Sequence, residues 1–324
     1  MKRKILVCGG AGYIGSHMCE TLALLGHEVV VFDNLSGGHA QNVRWGRLID
    51  GDLRDAPAVD AALSSDAFDA VMHFAGRIVV SESVRAPAQY YDQNVVGSLR
   101  LLDAVRAHGL PPVVFSSTAA LYGEPRYTPI DEEHPCAPVN PYGRSKLMTE
   151  QMLADWRAAY GLRSVSLRYF NAAGASASGL IGESHEPETH LIPNVLRAFR
   201  ERTPVDVFGN DYPTPDGSCV RDYIHVTDLC RAHAAALEHL WGGGDNVTCN
   251  LGTGRGHSVL EVLAAAEAVC GGTIARRISP RRAGDPPVLV ASAERARKAL
   301  GWTPTESDLA TVITSAWRWE QSRA

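Results

Sequence analysis

The stretch CGGAGYIGSH, residues 8–17, constrains the fold more than any other part of the sequence. It places Gly9, Gly12 and Gly15 directly after the apolar run KILV and before a helix-like segment. Glycines at this spacing allow a tight turn, let backbone N–H groups approach a pyrophosphate, and let the helix pack closely on the strand. The pattern therefore predicts a strand, a turn that binds a dinucleotide, and a helix.

Short apolar runs rich in Val, Ile and Phe alternate with helix-like segments along the first half of the chain. Such runs are typical of parallel strands that are buried on both faces. The candidates are KILVCGG, EVVVFDN, AVMHFAG, PVVFSST and SVSLRYFN. We predict an α/β fold with a Rossmann-type doubly wound parallel sheet over residues 1–171. The polar residues that follow these runs are then expected to face one crevice, because parallel strands end at the same edge.

The composition of the sequence changes after Asn171. A stretch rich in Gly, Ser, His and Pro extends to Pro193, and a helix candidate at 194–202 and the loop GNDYPTPDGS follow it. We predict that residues 172–324 form a smaller α/β domain that binds the substrate. VTCNLGTG, residues 247–254, resembles a further strand with a glycine turn, so a segment near 220–255 is a candidate to pack back onto the main sheet.

Composition narrows the classes of partner. Of the 324 residues 21% are charged, the formal net charge is -5, and no long run of one sign occurs, which argues against nucleic acid or an anionic membrane and favours a small molecule. The seven cysteines are scattered without C-x-x-C, and the twelve histidines lack metal-ligand spacing, so we expect neither disulfides nor a metal. The sequence also lacks an apolar stretch of ~18 residues and a signal peptide, and we expect a cytoplasmic protein.

Two aspartates are candidates for the nucleotide end of the crevice. Asp33 stands 18 residues beyond Gly15, at the end of EVVVF. A carboxylate there accepts hydrogen bonds from an adenosine ribose diol and repels a 2′-phosphate, which favours NAD over NADP. Asp52, in IDGDLRD, is a candidate for the adenine edge. Each aspartate also has a plainer explanation as a turn residue.

YGRSK, residues 142–146, places Tyr142 and Lys146 one turn apart on the same face of a helix. Taken alone, the pair is more simply explained as a partly exposed helix face. Thr118, at the end of PVVFSST, is expected nearby and would hydrogen-bond a substrate hydroxyl. Lowering the pKa of a tyrosine by ~3 units, which makes it a base at neutral pH, requires ~4 kcal/mol. Lys146 and a nicotinamide ring are the expected sources.

Further segments can be compared with known families: GGAGYIGSH, HFAG, YYDQNVVGSLRLL, FSSTAALYGE, PYGRSKLMTE, LRYFNAAGA and FGNDYPTPDGSCVRDYIHVTDL. Together they resemble the extended short-chain dehydrogenase/reductases, and within them the enzymes that interconvert UDP-glucose and UDP-galactose. The resemblance extends from Lys4 to about Trp319, and residues 208–229 are its most specific part. It implies an NAD-dependent isomerase that works through a 4-keto sugar.

The resemblance also implies roles for single residues. Tyr142 would be the base and the acid, Lys146 would adjust its pKa and bind a ribose, and Thr118 would bridge to the substrate. Besides the three glycines, the implied NAD contacts are Tyr13, Ile14, Asp33, Asn34, Asp52, Leu53, Phe74, Ala75, Gly76, Asn94, Lys146 and Phe170. The implied UDP-sugar contacts, besides Thr118 and Tyr142, are Asn171, His190, Leu191, Val207, Phe208, Arg221, Tyr223, Arg282, Asp285 and Leu289, the last closing the far end of the sugar pocket.

A homodimer is implied as well, with the helices near 88–108 and 143–160 packing against their mates. The alternative is that the apolar residues of these helices face only the chain's own sheet; they are Leu99, Leu102, Val105, Leu147 and Leu153.

Three positions depart from the family pattern. Thr118 stands where serine is common, which preserves the hydroxyl. Ile78 stands where lysine is frequent, so that one cofactor contact is missing or is made by Arg77. His190 stands where asparagine is frequent, and both side chains donate hydrogen bonds.

Other functions remain open at this point. The main alternative is a 4-epimerase of another UDP-sugar, with an N-acetylhexosamine, a uronic acid or a pentose. A nucleotide-sugar dehydratase is disfavoured because Ala119 and Ala120 occupy the places where it needs an acid and a base. An NADPH-linked reductase is disfavoured by Asp33, and a non-catalytic dinucleotide sensor has no use for Thr118, Tyr142 and Lys146 together.

Overall fold

The computed structural model describes residues 1–282 and 285–323. Its strands are β1 Lys4–Cys8, β2 Glu28–Asp33, β3 Arg47–Asp50, β4 Ala70–His73, β5 Val113–Thr118, β6 Ser164–Tyr169, β7 Asn171–Ala173, β8 Val205–Phe208, β9 Val220–Arg221, β10 Tyr223–His225, β11 Val247–Leu251, β12 His257–Ser258, β13 Arg276–Ser279 and β14 Val288–Leu289. Its helices are α1 Tyr13–Leu24, α2 Ala56–Ser64, α3 Val80–Arg85, α4 Pro87–Tyr90, α5 Gly97–Ala107, α6 Pro141–Tyr160, α7 Leu191–Glu201, α8 Val226–Trp241, α9 Val259–Cys270, α10 Glu294–Leu300 and α11 Leu309–Ser322.

Within these described ranges a seven-stranded parallel sheet forms the centre of the molecule, in the order β11-β6-β5-β4-β1-β2-β3. The five strands predicted from apolar runs are confirmed, and all five lie in this sheet. The edge strand β3 was not predicted, because it is only four residues long and its side chains are exposed or half-buried. The strand order reverses between β1 and β4, so the crevice for a ligand lies beyond their carboxyl ends.

Helices cover both faces of the sheet, as the doubly wound fold requires. On one face α1 and α8 bury Met18, Leu22, Leu229 and Leu237 against β1, β2 and β6. On the other face α2, α5 and α6 contribute Leu63, Leu101 and Leu153 to a second apolar cluster. The apolar runs of the strands are therefore buried on both sides, which confirms the predicted fold class.

The remaining elements form a smaller unit around a third apolar cluster, which is contributed by α7, α9 and α11. Three small sheets accompany it within the described residues: β13 with β8, β12 with β9 and β14, and β10 with β7. Helix α7 begins three residues before the predicted start at 194, because Pro193 lies in its first turn, where no backbone N–H is needed.

The chain returns from the smaller unit to the main sheet. Strand β11 pairs with β6 from Val247 to Leu251, and α8 packs against α1. The domain boundary between residues 171 and 172 stays a prediction. Because β11 and α8 pack onto the main sheet and its helices, elements that follow residue 171 complete the larger unit. Over the described residues, no helix combines the length and the apolar character needed to cross a membrane.

Candidate active site

The turn after β1 is too crowded for side chains. Gly9 has φ +83°, and a Cβ there would lie 2.5 Å from the backbone nitrogen of Ala75. A Cβ on Gly15 would lie 2.1 Å from the carbonyl oxygen of Gly9. Helix α1 follows at once, with Gly12 at its N-cap. At this helix N-terminus the glycines leave the backbone accessible to a ligand. Such a turn is suited to binding the pyrophosphate of a dinucleotide.

Asp33 ends β2 beside this turn and is buried. Its Oδ2 accepts a hydrogen bond from the Ala11 backbone N–H (2.9 Å), and its Oδ1 accepts one from the Leu35 backbone N–H (2.8 Å). Burial raises the pKa of this carboxyl, and the two backbone donors oppose that effect. Each oxygen retains acceptor capacity, so the carboxylate can still bind a ribose diol.

Asp52 lies at the same edge of the sheet. Its Oδ2 accepts from Asn34 Nδ2 (2.7 Å), and Arg54 binds both of its oxygens. Hydrogen bonds from Arg54 are the main cause of its strongly lowered pKa. Two predicted cofactor residues, Asn34 and Asp52, are thus brought into contact. The next residue, Leu53, is buried in the core.

The turn after β4 approaches the first turn through Phe74 and Ala75, whose backbone N–H groups both donate to the Cys8 carbonyl (2.8 and 3.0 Å). Gly76 follows at φ +153°, and a Cβ on it would lie 2.9 Å from Asn94 Oδ1. Asn94 lies in a wider π-helical turn, Tyr91–Val96, a feature frequent at functional sites.

Asn94 joins three segments through its amide. Its Oδ1 accepts from the Arg77 backbone N–H (2.8 Å), and its Nδ2 donates to Ser145 Oγ (2.9 Å) on α6. The Arg77 side chain donates to Glu82 (2.9 Å), and the neighbouring Ile78 is 39% exposed. The Arg77 guanidinium thus binds Glu82 in the chain alone, and its replacement of the frequent lysine at position 78 stays a prediction.

The YGRSK segment forms the first turns of α6. Asn140 caps this helix by accepting from the Gly143 backbone N–H (2.8 Å), so Tyr142 lies at the positive end of the helix dipole. Lys146 lies one turn further, is 3% exposed, and donates from Nζ to the Ser116 carbonyl (2.9 Å) on β5. Thr118 ends the same strand. The structure therefore brings the three predicted catalytic residues to one place.

The acid–base state of the pair in the chain alone depends mainly on burial. Burial raises the pKa of Tyr142, and its contact with the Thr118 hydroxyl opposes that rise. Burial lowers the pKa of Lys146 to about 8, with the Glu150 carboxylate acting in the opposite direction. A buried phenolate lacks solvation, and the Lys146 ammonium is engaged by Ser116. The chain alone thus does not lower the pKa of Tyr142, and further positive charge is needed there.

A buried ion pair joins α6 to the main sheet. The sequence analysis did not predict it. Glu150 binds Arg168 of β6 through both carboxylate oxygens, and Arg168 Nη1 donates to the Tyr122 hydroxyl (2.8 Å). Glu150 lies one helical turn beyond Lys146, so the i, i+4 spacing in PYGRSKLMTE was an available signal. The pair holds the helix that carries Tyr142 and Lys146 against the sheet.

Several predicted substrate residues also meet. Arg221 Nη2 lies 3.3 Å from Asp285 Oδ1, and the Arg282 guanidinium lies 3.9 Å from the centre of the Phe208 ring. Asn171 donates to the carbonyl oxygen of Asp222 (3.0 Å), beside the buried Tyr223. Other arginines of the basic stretch 276–298 bind nearby carboxylates: Arg277 with Asp206, Arg281 with Asp211 and Arg295 with Glu133 on the surface, and Arg295 also with the buried side chain of Glu132.

The sequence analysis did not single out Asp222. It is buried, and its carboxylate accepts from the Thr253 N–H and hydroxyl (2.9 and 2.7 Å) and from the N–H groups of Gly254 and Ala291 (3.2 Å each). It joins β9, the turn after β11 and the end of β14. Arg221 and Tyr223, its neighbours in the chain, are two of the predicted substrate contacts.

The remaining predicted residues occupy distinct places. Leu289 of β14 is half-buried and packs with Phe170 against an apolar cluster beside the end of β5: Ala119, Leu121, Tyr122 and Ile130. Val207 is in the core of the smaller unit. His190 and Leu191 lie at the start of α7. Near the glycine turn, Ile14 packs on the core and the Tyr13 hydroxyl donates to the Gly174 carbonyl (2.7 Å).

Comparison with known proteins agrees with this arrangement. The profile of the NAD dependent epimerase/dehydratase family matches residues 5–252. The UDP-glucose 4-epimerase of Rhizobium meliloti (strain 1021) is 52% identical over 98% of this chain and 97% of its own length. The crystal structure of UDP-glucose 4-epimerase from Brucella ovis in complex with NAD has a TM-score of 0.95 and 49% identity, covering 97% of each chain. The enzyme from Bifidobacterium longum, in complex with NAD+ and UDP, has a TM-score of 0.92 and 39% identity, covering 98% of each chain.

Proposed function

Because the chain belongs to the NAD dependent epimerase/dehydratase family, we propose that it is an NAD-dependent 4-epimerase that interconverts UDP-glucose and UDP-galactose. The observation that carries this proposal is the convergence of Thr118, Tyr142 and Lys146 at the end of β5, on the sheet edge that also holds the bare glycine turn and Asp33. A sensor that only binds a dinucleotide would not require the first three.

Tyr142, Thr118 and Lys146 would each have a separate role in the reaction. NAD, when bound, would take a hydride from C4 of the sugar and return it to the opposite face. Tyr142 would remove the proton of the 4-hydroxyl and give it back, and Thr118 would hydrogen-bond that hydroxyl. Lys146 would hold the cofactor ribose and, together with the positive nicotinamide ring, stabilise the phenolate. The raised pKa of Tyr142 in the chain alone implies that the tyrosine becomes an effective base only in the loaded enzyme.

The sugar must turn over between the two hydride transfers, so the enzyme must hold UDP firmly and hexose loosely. The charged candidates are placed accordingly. Arg221 and Arg282 would bind the diphosphate, and Asp285 orients Arg221 through the 3.3 Å contact. Apolar side chains such as Leu289 and Phe170 would surround the hexose without fixing its orientation.

The first test is an assay of UDP-galactose conversion to UDP-glucose without added cofactor. We expect turnover, because each cycle regenerates the cofactor, and we expect NAD in the supernatant after the purified protein is denatured. An absolute need for added cofactor at each turnover, or recovery of NADP alone, would contradict the proposal. Conversion to a 4-keto-6-deoxy sugar would identify a dehydratase instead.

The hexose preference is expected to depend on Leu289. We predict that UDP-glucose and UDP-galactose are preferred and that their N-acetyl counterparts are converted weakly, because leucine is smaller than tyrosine and closes the pocket incompletely. A difference of about a methylene in fit discriminates by ~10 to 200-fold. Leu289→Tyr should therefore lower kcat/KM for UDP-N-acetylgalactosamine selectively, which parallel assays with UDP-galactose would measure.

Val288→Tyr is the matched control for this prediction. The two residues are adjacent in β14 and point to opposite sides of it, because side chains alternate along a strand. Leu289 packs beside the end of β5, and only its replacement should affect the N-acetyl substrate selectively. An equal loss on both substrates from Leu289→Tyr, or a selective loss from Val288→Tyr alone, would reject Leu289 as the residue that closes the pocket.

We also propose a homodimer and a cytoplasmic location. Of the five apolar residues considered for the interface, Leu102, Val105 and Leu153 are buried in the chain's own core, so the interface must use other side chains of α5 and α6 and their flanks. Val96 and Met148 are 37% and 40% exposed there. We expect sedimentation at micromolar concentration to give a dimer, and Met148→Glu to weaken it. A monomer at that concentration would contradict the proposal.

A further inference from the structure

Four side chains converge in the loop between β7 and α7, where the sequence analysis expected no metal. They are Glu183, His185, Glu188 and His190, and one ligand atom of each lies within 4.8 Å of all the others. Their spacing, E-x-H-x-x-E-x-H, differs from the spacing of zinc fingers and of helical metal sites. It was therefore not recognised, and the loop brings the four together only when folded.

Both carboxylates are withdrawn from solvent, with side-chain exposures of 5% for Glu183 and 1% for Glu188. Glu183 Oε1 contacts Nδ1 of His185 (3.1 Å) and Nδ1 of His190. Glu188 Oε1 accepts from the backbone N–H groups of Thr189 and His190 (2.8 and 2.9 Å). Hydrogen bonds within the loop thus hold the two glutamate side chains of the cluster in place.

The second oxygen of Glu188 points to a ligand. Glu188 Oε2 is buried and has no hydrogen-bond partner among the described residues, and it lies 3.9 Å from His185 Nδ1. A buried carboxylate oxygen without a partner is costly, and native structures seldom retain one unless an ion or a water binds it. The orphaned oxygen lies beside His185, one of the other three residues of the cluster.

The two carboxylates lie close together and are shielded from water. Buried carboxylate oxygens favour a positively charged partner. A divalent cation would contact both carboxylates, and it would give Glu188 Oε2 the partner that it lacks.

The donor set selects among cations. Two imidazole nitrogens with two carboxylate oxygens suit a first-row transition ion such as Zn²⁺, whereas Mg²⁺ prefers oxygen ligands in an octahedral arrangement. At metal–ligand bonds of about 2.0 to 2.2 Å, tetrahedral ligands lie roughly 3.3 to 3.6 Å apart. The four ligand atoms now lie within 4.8 Å of one another, so an ion would draw the more distant ones together. It would also replace the direct hydrogen bonds from Glu183 to His185 and His190, whose atoms would move slightly apart.

We propose that Glu183, His185, Glu188 and His190 form a structural site for a divalent transition-metal ion of the zinc class. Four protein ligands leave no open position, so the ion would act on structure rather than on chemistry. It would close the loop that precedes α7, where the His185 ring lies 6.2 Å from the ring of Tyr13 beside the glycine turn. A histidine that binds metal through Nδ1 keeps its proton on Nε2 and remains a donor. The proposal is independent of the reaction proposed above.

The experiment uses the full chain stripped with a chelator and then titrated with ZnCl₂, by calorimetry for stoichiometry and affinity and by thermal melting for stability. We expect one equivalent of Zn²⁺ per chain and a higher Tm, and no such effect from MgCl₂. His185→Gln and Glu188→Gln should each lower the zinc affinity about 100-fold or more, given that even indirect partners of a metal contribute 10 to 100-fold.

His39→Gln is the matched control, because His39 Nε2 contacts the Ser184 carbonyl of the same loop (3.0 Å) but is not one of the four ligands. It should retain the zinc affinity of the unchanged chain. Less than half an equivalent of zinc bound, or equal affinity in His185→Gln, Glu188→Gln and the unchanged chain, would overturn the proposal. So would histidine resonances showing that His185 and His190 stay protonated at neutral pH and do not respond to added zinc. None of these readouts requires catalytic activity.

Discussion

Replacement of Tyr142 by phenylalanine is expected to lower kcat for UDP-galactose about 10² to 10⁴-fold or more, with folding and UDP binding preserved. The substitution removes only the hydroxyl that would carry the proton. The ring keeps its edge-to-face contact with Tyr90, at 6.5 Å between centres, and α6 keeps its Asn140 cap. Steady-state kinetics would give kcat, and calorimetry with UDP would test whether the nucleotide still binds.

Tyr160→Phe is the matched control for this result. Tyr160 ends the same helix, is 45% exposed, and lies far along α6 from the Asn140 cap. Its contact with the Arg106 guanidinium survives in phenylalanine, so the variant should have unchanged kinetics. Near-normal turnover by Tyr142→Phe would mean that Tyr142 is an ordinary helix residue, and the acid–base assignment would then be wrong.

Asp222→Asn is expected to destabilise the protein by about 3 kcal/mol. Both buried carboxylate oxygens accept hydrogen bonds, and the amide NH2 group that replaces one of them cannot accept. Four groups donate to that carboxylate, from Thr253, Gly254 and Ala291. The loss should also displace Arg221 and Tyr223 and raise KM for UDP-galactose. Urea unfolding of the two proteins would measure the change in the free energy of unfolding.

Asp245→Asn serves as the control, because the Asp245 side chain is 92% exposed and makes a surface pair with Arg157. Such a change is expected to alter the free energy of unfolding by less than about 0.5 kcal/mol. If Asp222→Asn were no more destabilising than Asp245→Asn, the carboxylate would not hold the three segments together.

The main sheet and the glycine turn were predictable because their signals are local. Buried parallel strands read as continuous apolar runs, and a crowded turn at positive φ, such as the one at Gly9, strongly favours glycine. Strand β3 carries neither signal, since it is short and lies at the exposed edge. Proline misled the prediction for α7, because Pro193 is tolerated inside the first turn of a helix.

The site was predictable only in part, for a physical reason. The spacing of Tyr142 and Lys146 follows from helix geometry, but the groups around them come from distant parts of the chain. Asp222 and Ala291 are 69 positions apart, and no local pattern announces their contact. The direction of the pKa shift of Tyr142 in the chain alone depends on burial by tertiary structure, which the sequence does not reveal.

The return of the chain to the main sheet has a consequence for the order in which the protein folds during synthesis. Strand β11 occupies one edge of the sheet, and α8 covers part of one face, yet both emerge from the ribosome after α7 and β8 of the smaller unit. Until residue 251 is available, β6 is an unprotected edge and the apolar surface that receives α8 is open to water. The nucleotide-binding half therefore cannot finish folding before the other half has been largely translated, and a nascent chain stalled in between would be a natural client for chaperones.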